Sequence, residues 1–176
     1  MMRLRKHISR NDFIQLSLLG MAGIALPTIS LAQNKQERPP AINLEIVKEF
    51  VGVSHSNQDR VKEMLENDPQ LLHVSYDWGG GDYESGIEAA GHVGNKEIAE
   101  YLLSKGARYN VYLACMFGHL DVVKQVLTFN SSLLNSKGPH GFTMLHHAKK
   151  GEANAVVDYL LSLGAVQTRV DFYAKT

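Results

Sequence analysis

The stretch that decides the fold spans residues 114–127 and reads Ala114-Cys115-Met116-Phe117-Gly118-His119-Leu120-Asp121-Val122-Val123-Lys124-Gln125-Val126-Leu127. A small residue lies four places before Gly118, and two apolar residues lie eight and nine places after it. Val122, Val123, Val126 and Leu127 recur with the period of one helix face. Because a short glycine-centred turn separates the two segments, the stretch predicts an antiparallel pair of helices.

The same arrangement occurs four times along the chain, which predicts an all-α solenoid of stacked helical pairs. The predicted helices span residues 44–53, 58–67, 86–92, 96–104, 110–117, 121–128, 144–150 and 154–163. We expect the small residue of each repeat to let successive first helices approach closely. In each repeat the small residue, the turn residue and the apolar pair are, in that order, Gly52/Ser56/Met64-Leu65, Ala90/Gly94/Leu102-Leu103, Ala114/Gly118/Val126-Leu127 and Ala148/Glu152/Leu160-Leu161.

Several motifs within these repeats resemble those of the ankyrin-repeat family. Thr143-Met144-Leu145-His146 is similar to the Thr-Pro-Leu-His opening of its first helix, and Gly118-His119-Leu120-Asp121-Val122-Val123 to its inter-helix turn. Leu102-Leu103-Ser104-Lys105-Gly106-Ala107 is similar to the end of its second helix. The resemblance covers about residues 43–167 and implies an L-shaped stack of about four helix-turn-helix repeats with irregular finger loops.

The spacing of the turn residues departs from the regular ankyrin period near 33 residues. Turn positions 56, 94, 118 and 152 are separated by 38, 24 and 34 residues. The first step predicts a long first finger, and the 24-residue step predicts almost no finger between the second and third repeats.

The first 32 residues have the pattern of an export signal. Four basic residues precede a weakly interrupted apolar run from Leu16 to Leu31, and Ser30-Leu31-Ala32 supplies small residues for cleavage after Ala32. Residues 9–15 also resemble a twin-arginine motif, but Asn11 replaces the second arginine, which argues against that route and leaves the general secretory route open. An uncleaved membrane anchor is the alternative, but glycines and a proline dilute the run.

We therefore predict a signal peptide over residues 1–32, a linker over 33–42 and an ankyrin-repeat domain over 43–176. The resulting hypothesis is a bacterial protein that is periplasmic or secreted and meets the membrane only during export. The formal net charge is zero, which gives no electrostatic reason to expect nucleic acid. A hydrophobic content of 44% with 20% charged residues is ordinary for a folded domain.

Three groups of residues could suggest a chemical function, but we interpret each of them as structural. His140, His146 and His147 lack a recognisable metal-ligand spacing, so we expect no metal and no cofactor. Gly79-Gly80-Gly81-Asp82 lacks the context of a phosphate loop and predicts a finger tip with positive φ. Cys115, the only cysteine, occupies a small buried position, so we expect neither a disulfide nor a nucleophile and predict that the protein is not an enzyme.

The candidate binding residues are aromatic residues of the first finger and the inner face of the first helices. Tryptophan and tyrosine favour binding hot spots, although Trp78 could instead fold back to cap its finger. The ankyrin resemblance implies that partners contact the fingers and that inner face. The predicted partner-binding residues are Trp78, Asp82, Tyr83, His92, Met116, Phe117 and His140.

These observations predict a module that binds another protein, of unknown identity, without a cofactor. Two alternatives remain open at this point. The first is an accessory or stabilising subunit of an envelope enzyme, and the second, less favoured, is a small metal-dependent hydrolase.

Overall fold

The computed structural model describes residues 38–173. The predicted signal peptide and the first residues of the predicted linker lie outside the described residues. Within residues 38–173, no helix is both long enough and apolar enough to cross a bilayer.

Four antiparallel helical pairs make up the described chain, and every helix end lies within one residue of its predicted position. Each pair contributes a first and a second helix to one repeat. In chain order the helices are α1 (Leu44–Val53), α2 (Gln58–Asn67), α3 (Gly86–Val93), α4 (Lys96–Ser104), α5 (Val111–Phe117), α6 (Leu120–Phe129), α7 (Met144–Lys150) and α8 (Asn154–Ser162).

The helix boundaries follow from local chemistry. An asparagine or threonine side chain accepts a hydrogen bond from the first turn of most helices, as Asn95 does from the Ile98 amide at 3.1 Å. Gly94 and Gly118 end α3 and α5 with φ of 81° and 79°, which a side chain would strain. In the fourth repeat Glu152 adopts φ 55° at the equivalent turn position.

The fingers differ in length as the spacing predicts. The first contains a 3₁₀ turn (Pro69–His73) and a hairpin of strands β1 (Ser75–Asp77) and β2 (Tyr83–Ser85), with Tyr76 opposite Glu84. Between α4 and α5 only residues 105–110 intervene, and they form no strand. The third finger consists of two 3₁₀ turns, Ser131–Asn135 and Pro139–Gly141.

After α8 the chain turns back along the third finger. Phe142 and Arg169 form an isolated antiparallel bridge, and the Val170 amide donates to the Gly141 carbonyl at 2.9 Å. The Tyr173 hydroxyl donates to the Gly79 carbonyl at 3.0 Å. The C-terminal segment (residues 165–173) therefore reaches the tip of the first finger.

The core consists of two groups of buried side chains that meet at α5. Leu113 and Met116 of α5 belong to the group formed with the first two repeats. Ala114 and Cys115, from the other side of the same helix, belong to the group formed with the last two repeats. Because residues 113–116 of α5 are buried, they stabilise both halves of the stack.

The first helices make contacts between non-adjacent repeats as well as between neighbours. Helix α7 packs against both α5 and α3, so the second and fourth repeats touch directly. The Lys96 ammonium also donates to the Gly151 carbonyl at 2.7 Å. Of the small residues predicted to lie between the first helices, Ala90, Ala114 and Ala148 are buried. The prediction is wrong at Gly52, which is exposed and whose position has free space for a methyl group.

Candidate functional site

Four side chains from separate parts of the chain converge between the first finger, the third finger and α3. They are His55 from the turn after α1, Glu84 from β2, His92 from the last turn of α3 and His140 from the third finger. We call them the His–Glu cluster. One ligating atom from each of the four residues lies within 4.8 Å of the others. These residues come together only because several repeats and their fingers pack against one another.

Glu84 is the centre of the cluster. Its carboxylate is fully buried, and its Oε2 accepts a hydrogen bond from Trp78 Nε1 at 2.9 Å. Oε2 also lies 3.3 Å from His140 Nε2 and 3.7 Å from His55 Nε2. Burial raises the pKa of Glu84, but the surrounding imidazoles, His92 foremost, outweigh burial and leave that pKa below its usual value. The carboxylate is therefore ionised at neutral pH.

His140 is held in an unusual backbone conformation. Its φ of 56° lies in the left-handed region that non-glycine residues rarely adopt. Asp82, itself buried, accepts hydrogen bonds from the His140 amide and from His140 Nδ1, each at 2.8 Å. The Arg169 side chain donates to the His140 carbonyl at 2.9 Å. These contacts orient the ring so that Nε2 faces Glu84.

His55 is oriented by backbone carbonyls, and the ring of His92 by packing against neighbouring rings. Nδ1 of His55 lies 3.1 Å from the Val51 carbonyl and 3.0 Å from the Gly52 carbonyl, so it carries the proton. His92 packs edge to face against His55 and His140, with ring centroids 4.9 Å and 5.4 Å apart. His146 Nε2 lies 2.7 Å from the His92 carbonyl oxygen and so secures the backbone of α3.

One pair of atoms in the cluster is close but not hydrogen-bonded. His92 Nδ1 and Glu84 Oε1 lie 2.8 Å apart, which is ion-pair distance. Their alignment is too poor for a hydrogen bond, and among the described residues neither atom has another partner. Buried polar atoms are nearly always satisfied, so this pair needs an explanation.

The helical repeats that position the cluster match a known family. A family model described as "Ankyrin repeats (3 copies)" matches residues 87–171. Residues 87–171 of the chain are ankyrin repeats. No curated protein matches it. The match starts at the second repeat and leaves out the first, which provides His55 and, through its finger, Glu84.

A groove adjoins the cluster and shares His140 with it. It has a volume of about 480 Å³ and lies between the first finger, the third finger and the C-terminal segment. Three predicted partner-binding residues line it. Its lining is Trp78, Asp82, His140, Arg169, Val170, Asp171, Phe172 and Tyr173.

The predicted binding residues divide into exposed and buried groups. Tyr83 is 61% exposed and Trp78 38% exposed, although Trp78 is also held by Glu84 and packs edge to face on Tyr76. Phe117 is half-buried and stacks on His119, which contacts the Tyr109 hydroxyl. Trp78 thus combines the two predicted roles, as finger cap and as exposed aromatic residue.

Three of the predicted residues do not form an open binding face. Met116 is fully buried in the core and cannot contact a partner, so its prediction as a surface residue is wrong. His92 is 7% exposed because the fingers and neighbouring first helices cover it, and Asp82 is 4% exposed because it binds His140. The inner face of this ankyrin stack is therefore closed at α3.

The remaining candidates have structural roles. His146 bridges to the backbone of α3, and Nδ1 of the buried His147 donates to the Thr143 carbonyl at 2.8 Å. Gly79, Gly80 and Gly81 all have positive φ at the finger tip, as predicted. Burial raises the pKa of the Cys115 thiol to about 12, which removes its nucleophilic form at neutral pH.

The sequence interpretation missed the convergence of His55, Glu84, His92 and His140. None of these residues belongs to a metal-ligand spacing, and the four come from three repeats or their fingers. The only local signal is the alternation in β2, which directs Glu84 inward while its neighbour Tyr83 is exposed. An acidic residue on the buried side of a short strand indicates a partner or a function.

Proposed function

We propose that this ankyrin-repeat protein is an exported module that binds another protein through its finger loops. Ankyrin repeats are generally protein–protein interaction modules. The single observation that supports this proposal best is the groove between the fingers, which combines exposed aromatic rings with charged groups. Aromatic anchors within a polar rim are typical of protein-binding surfaces.

The aromatic residues beside this groove are held rigidly. Trp78 is fixed through its Nε1 by Glu84 and by packing on Tyr76, and the C-terminal Tyr173 is fixed by the Gly79 carbonyl. A side chain that is already ordered loses little conformational entropy on binding, so more of its contact energy contributes to affinity. This rigidity supports recognition by the fingers.

The charges at the groove favour a partner with polar groups around an apolar contact. Arg169 and Asp171 lie on one wall, and the exposed edge of Trp78 on the other. We infer that the partner inserts an apolar side chain beside Trp78 and that Arg169 interacts with a carboxylate at the rim. Rim charges of this kind affect association rate more than affinity.

A direct test places a photo-crosslinking amino acid at Tyr83, which is 61% exposed in strand β2 of the first finger. The matched control places it at Leu161, which is 47% exposed on α8. We expect one covalent product that depends on the Tyr83 position and is absent from the Leu161 control. Equal labelling from both positions, or no product from either, contradicts the proposal.

The partner identified in this way permits a quantitative measurement. Tyr83→Ala removes an exposed ring and should weaken binding of the purified partner about 10-fold or more, as expected for a hot spot. Leu161→Ala should leave the dissociation constant unchanged within about 2-fold. Circular dichroism verifies that both variants keep their helices.

The export part of the proposal rests on residues 1–32 and has its own measurement. Mass spectrometry of the protein recovered from the periplasm or the culture medium should find an N-terminus at Gln33. Recovery of the full-length chain from the cytoplasm alone contradicts export but leaves the protein-binding proposal intact.

A further inference from the structure

We propose that the His–Glu cluster is a binding site for one divalent first-row transition-metal cation of the Zn²⁺ class. The ligands are Nε2 of His55, Nε2 of His140, Nδ1 of His92 and the carboxylate of Glu84. This site adjoins the protein-binding groove and shares His140 with it, whereas Glu84 and His92 are buried beneath the groove. It adds a metal-dependent element to the proposed interaction module.

The separations between the ligand atoms fit a single ion. In a tetrahedral site with bonds of about 2.0–2.2 Å, neighbouring ligand atoms are about 3.4 Å apart. Glu84 Oε1 lies 2.8 Å from His92 Nδ1, and Glu84 Oε2 lies 3.3 Å from His140 Nε2 and 3.7 Å from His55 Nε2. The widest separation in the cluster stays within 4.8 Å, so shifts of about an ångström bring all four atoms to one ion.

The hydrogen bonds around the cluster select the protonation states that a metal requires. Nδ1 of His55 donates to backbone carbonyls and Nδ1 of His140 donates to Asp82, so both Nε2 atoms keep a lone pair. A carboxylate or carbonyl behind the ring is the usual support for a metal-ligating histidine. Trp78 similarly orients Glu84 through Oε2.

The poorly aligned pair gives an independent indication. His92 Nδ1 and Glu84 Oε1 lie 2.8 Å apart, yet neither donates to the other and neither has a different partner among residues 38–173. Two ligands of one cation adopt this arrangement, because each directs its lone pair toward the ion rather than toward its neighbour. A shared cation therefore accounts for both unsatisfied atoms at once.

Charge supports the same conclusion. Glu84 is fully buried, and all of its ion-pair partners among the described residues are histidines, with no lysine or arginine. An ionised carboxylate in such a place is costly unless a positive charge accompanies it. A divalent cation supplies that charge in place of a protonated imidazole.

The donor set specifies the class of metal. Three imidazole nitrogens and one carboxylate suit Zn²⁺, Fe²⁺, Co²⁺, Ni²⁺ or Cu²⁺, whereas Mg²⁺ and Ca²⁺ prefer sites made of oxygen atoms. The cluster has no thiolate, since Cys115 is buried in the core between the repeats. Asp82 acts on the ion only through His140, as a positioning residue.

The competing explanation is that one imidazole is protonated and serves as the cation itself. In that case the cluster is an ion-pair network that holds the fingers and binds no metal. The two explanations differ in a measurable way, because a metal ligand must release its proton before it binds the ion. Metal binding is therefore the quantity to measure.

The test uses the full chain, purified in the presence of a chelator and then transferred to chelator-free buffer. Isothermal titration with Zn²⁺ should give one ion per chain, and Co²⁺ should produce the visible absorption of a four- or five-coordinate nitrogen–oxygen site. Excess Zn²⁺ should raise the melting temperature by about 5–10 °C. No stoichiometric binding of Zn²⁺, Co²⁺, Ni²⁺ or Fe²⁺ overturns the proposal.

Variants distinguish this site from other histidines. His140→Gln and Glu84→Gln each remove a ligand and should weaken Zn²⁺ binding more than 100-fold, and Asp82→Asn should weaken it about 10–100-fold. His73→Gln alters an exposed histidine outside the cluster and should bind Zn²⁺ normally. If Glu84→Gln fails to fold, His140→Gln decides, since that side chain is 23% exposed.

Two further results would overturn the proposal. Unchanged Zn²⁺ affinity in folded His140→Gln would mean that the ion binds elsewhere. An imidazole NMR titration that shows the ligating nitrogen of His55 (Nε2), His140 (Nε2) or His92 (Nδ1) still protonated in excess Zn²⁺ would establish the ion-pair network instead. Either result would overturn the metal site without changing the crosslinking expected at Tyr83.

Discussion

The Asp82 carboxylate holds His140 at two points, since it accepts the backbone N–H with one oxygen and the ring Nδ1–H with the other, each at 2.8 Å. His140 has φ 56°, a conformation that costs a non-glycine residue about 1–2 kcal/mol. Two charge-assisted hydrogen bonds offset that cost. The first finger thereby determines both the position and the ring orientation of a residue in the third finger.

Asp82→Asn tests this two-point contact, which we call the Asp82–His140 clamp. An asparagine side chain has one acceptor oxygen, so one of the two His140 donors loses its partner at a buried site. We expect the free energy of unfolding to fall by about 1–3 kcal/mol, measured by urea denaturation in the presence of a chelator. The control is Asp77→Asn, because Asp77 Oδ1 alone accepts from both Gly79 and Gly81, and the asparagine keeps that oxygen. Equal stability of both variants would disprove the clamp.

The close approach between α5 and α7 depends on Gly151. Its φ of −83° is ordinary, but a methyl group at this position would overlap the Met116 carbonyl oxygen. Gly151→Ala should therefore lower the free energy of unfolding by about 1–3 kcal/mol through overpacking. Gly52→Ala is the opposite case, because α1 has free space there, and it should raise stability by about 0.5–1 kcal/mol. Thermal melts that shift both variants the same way would contradict this packing.

Ala114 tests the register of the repeats. It is fully buried on the side of α5 that packs against the last two repeats. Ala114→Leu should destabilise the domain by about 1–3 kcal/mol, because the added side chain has no space. A urea midpoint equal to that of the parent protein would show that the first helices are not packed in this register.

His147 makes the stability depend on pH. Burial lowers the pKa of His147 to about 4 in the folded protein, against 6.5 in its ordinary state. Between these values the unfolded chain binds more protons, so stability is complete above pH 6.5 and declines as the pH falls toward 4. From pH 7.5 to pH 5 this loss amounts to about 2 kcal/mol.

His147→Gln is the variant that isolates this effect. Glutamine can donate to the Thr143 carbonyl but does not titrate, so the difference in stability between pH 7.5 and pH 5 should shrink by about 2 kcal/mol. Urea denaturation of both proteins at the two pH values gives this difference. An identical pH dependence in parent and variant would mean that another group is responsible.

The helices could be predicted from sequence because their signals are local. Period and turn residues between Gly118 and Leu127 specify α6 without any knowledge of the rest of the chain, and the 24-residue step correctly predicts the short connection between α4 and α5. The buried positions Ala90, Ala114 and Ala148 follow from the same repetition. Local chemistry and repetition together define the stack.

The His–Glu cluster could not be predicted in this way. His55 and Glu84 are brought together because the first finger folds back against α1, and His140 joins them because the third finger turns toward Asp82. The course of each finger depends on contacts between distant segments, and such contacts leave no periodic pattern in a single sequence. The same reason explains Met116, whose side chain is buried in the core group formed with the first two repeats.

The hydrogen bond from Tyr173 to the Gly79 carbonyl joins residues that are 94 positions apart. In an ordinary solenoid each repeat touches only its neighbours, so the ends can fray while the middle stays folded. Here the segment after the last repeat is tied to the first finger, and loosening one end loosens the other. We expect this chain to lose its structure in one cooperative transition and to form it more slowly than an open stack of the same length, since distant segments must meet first.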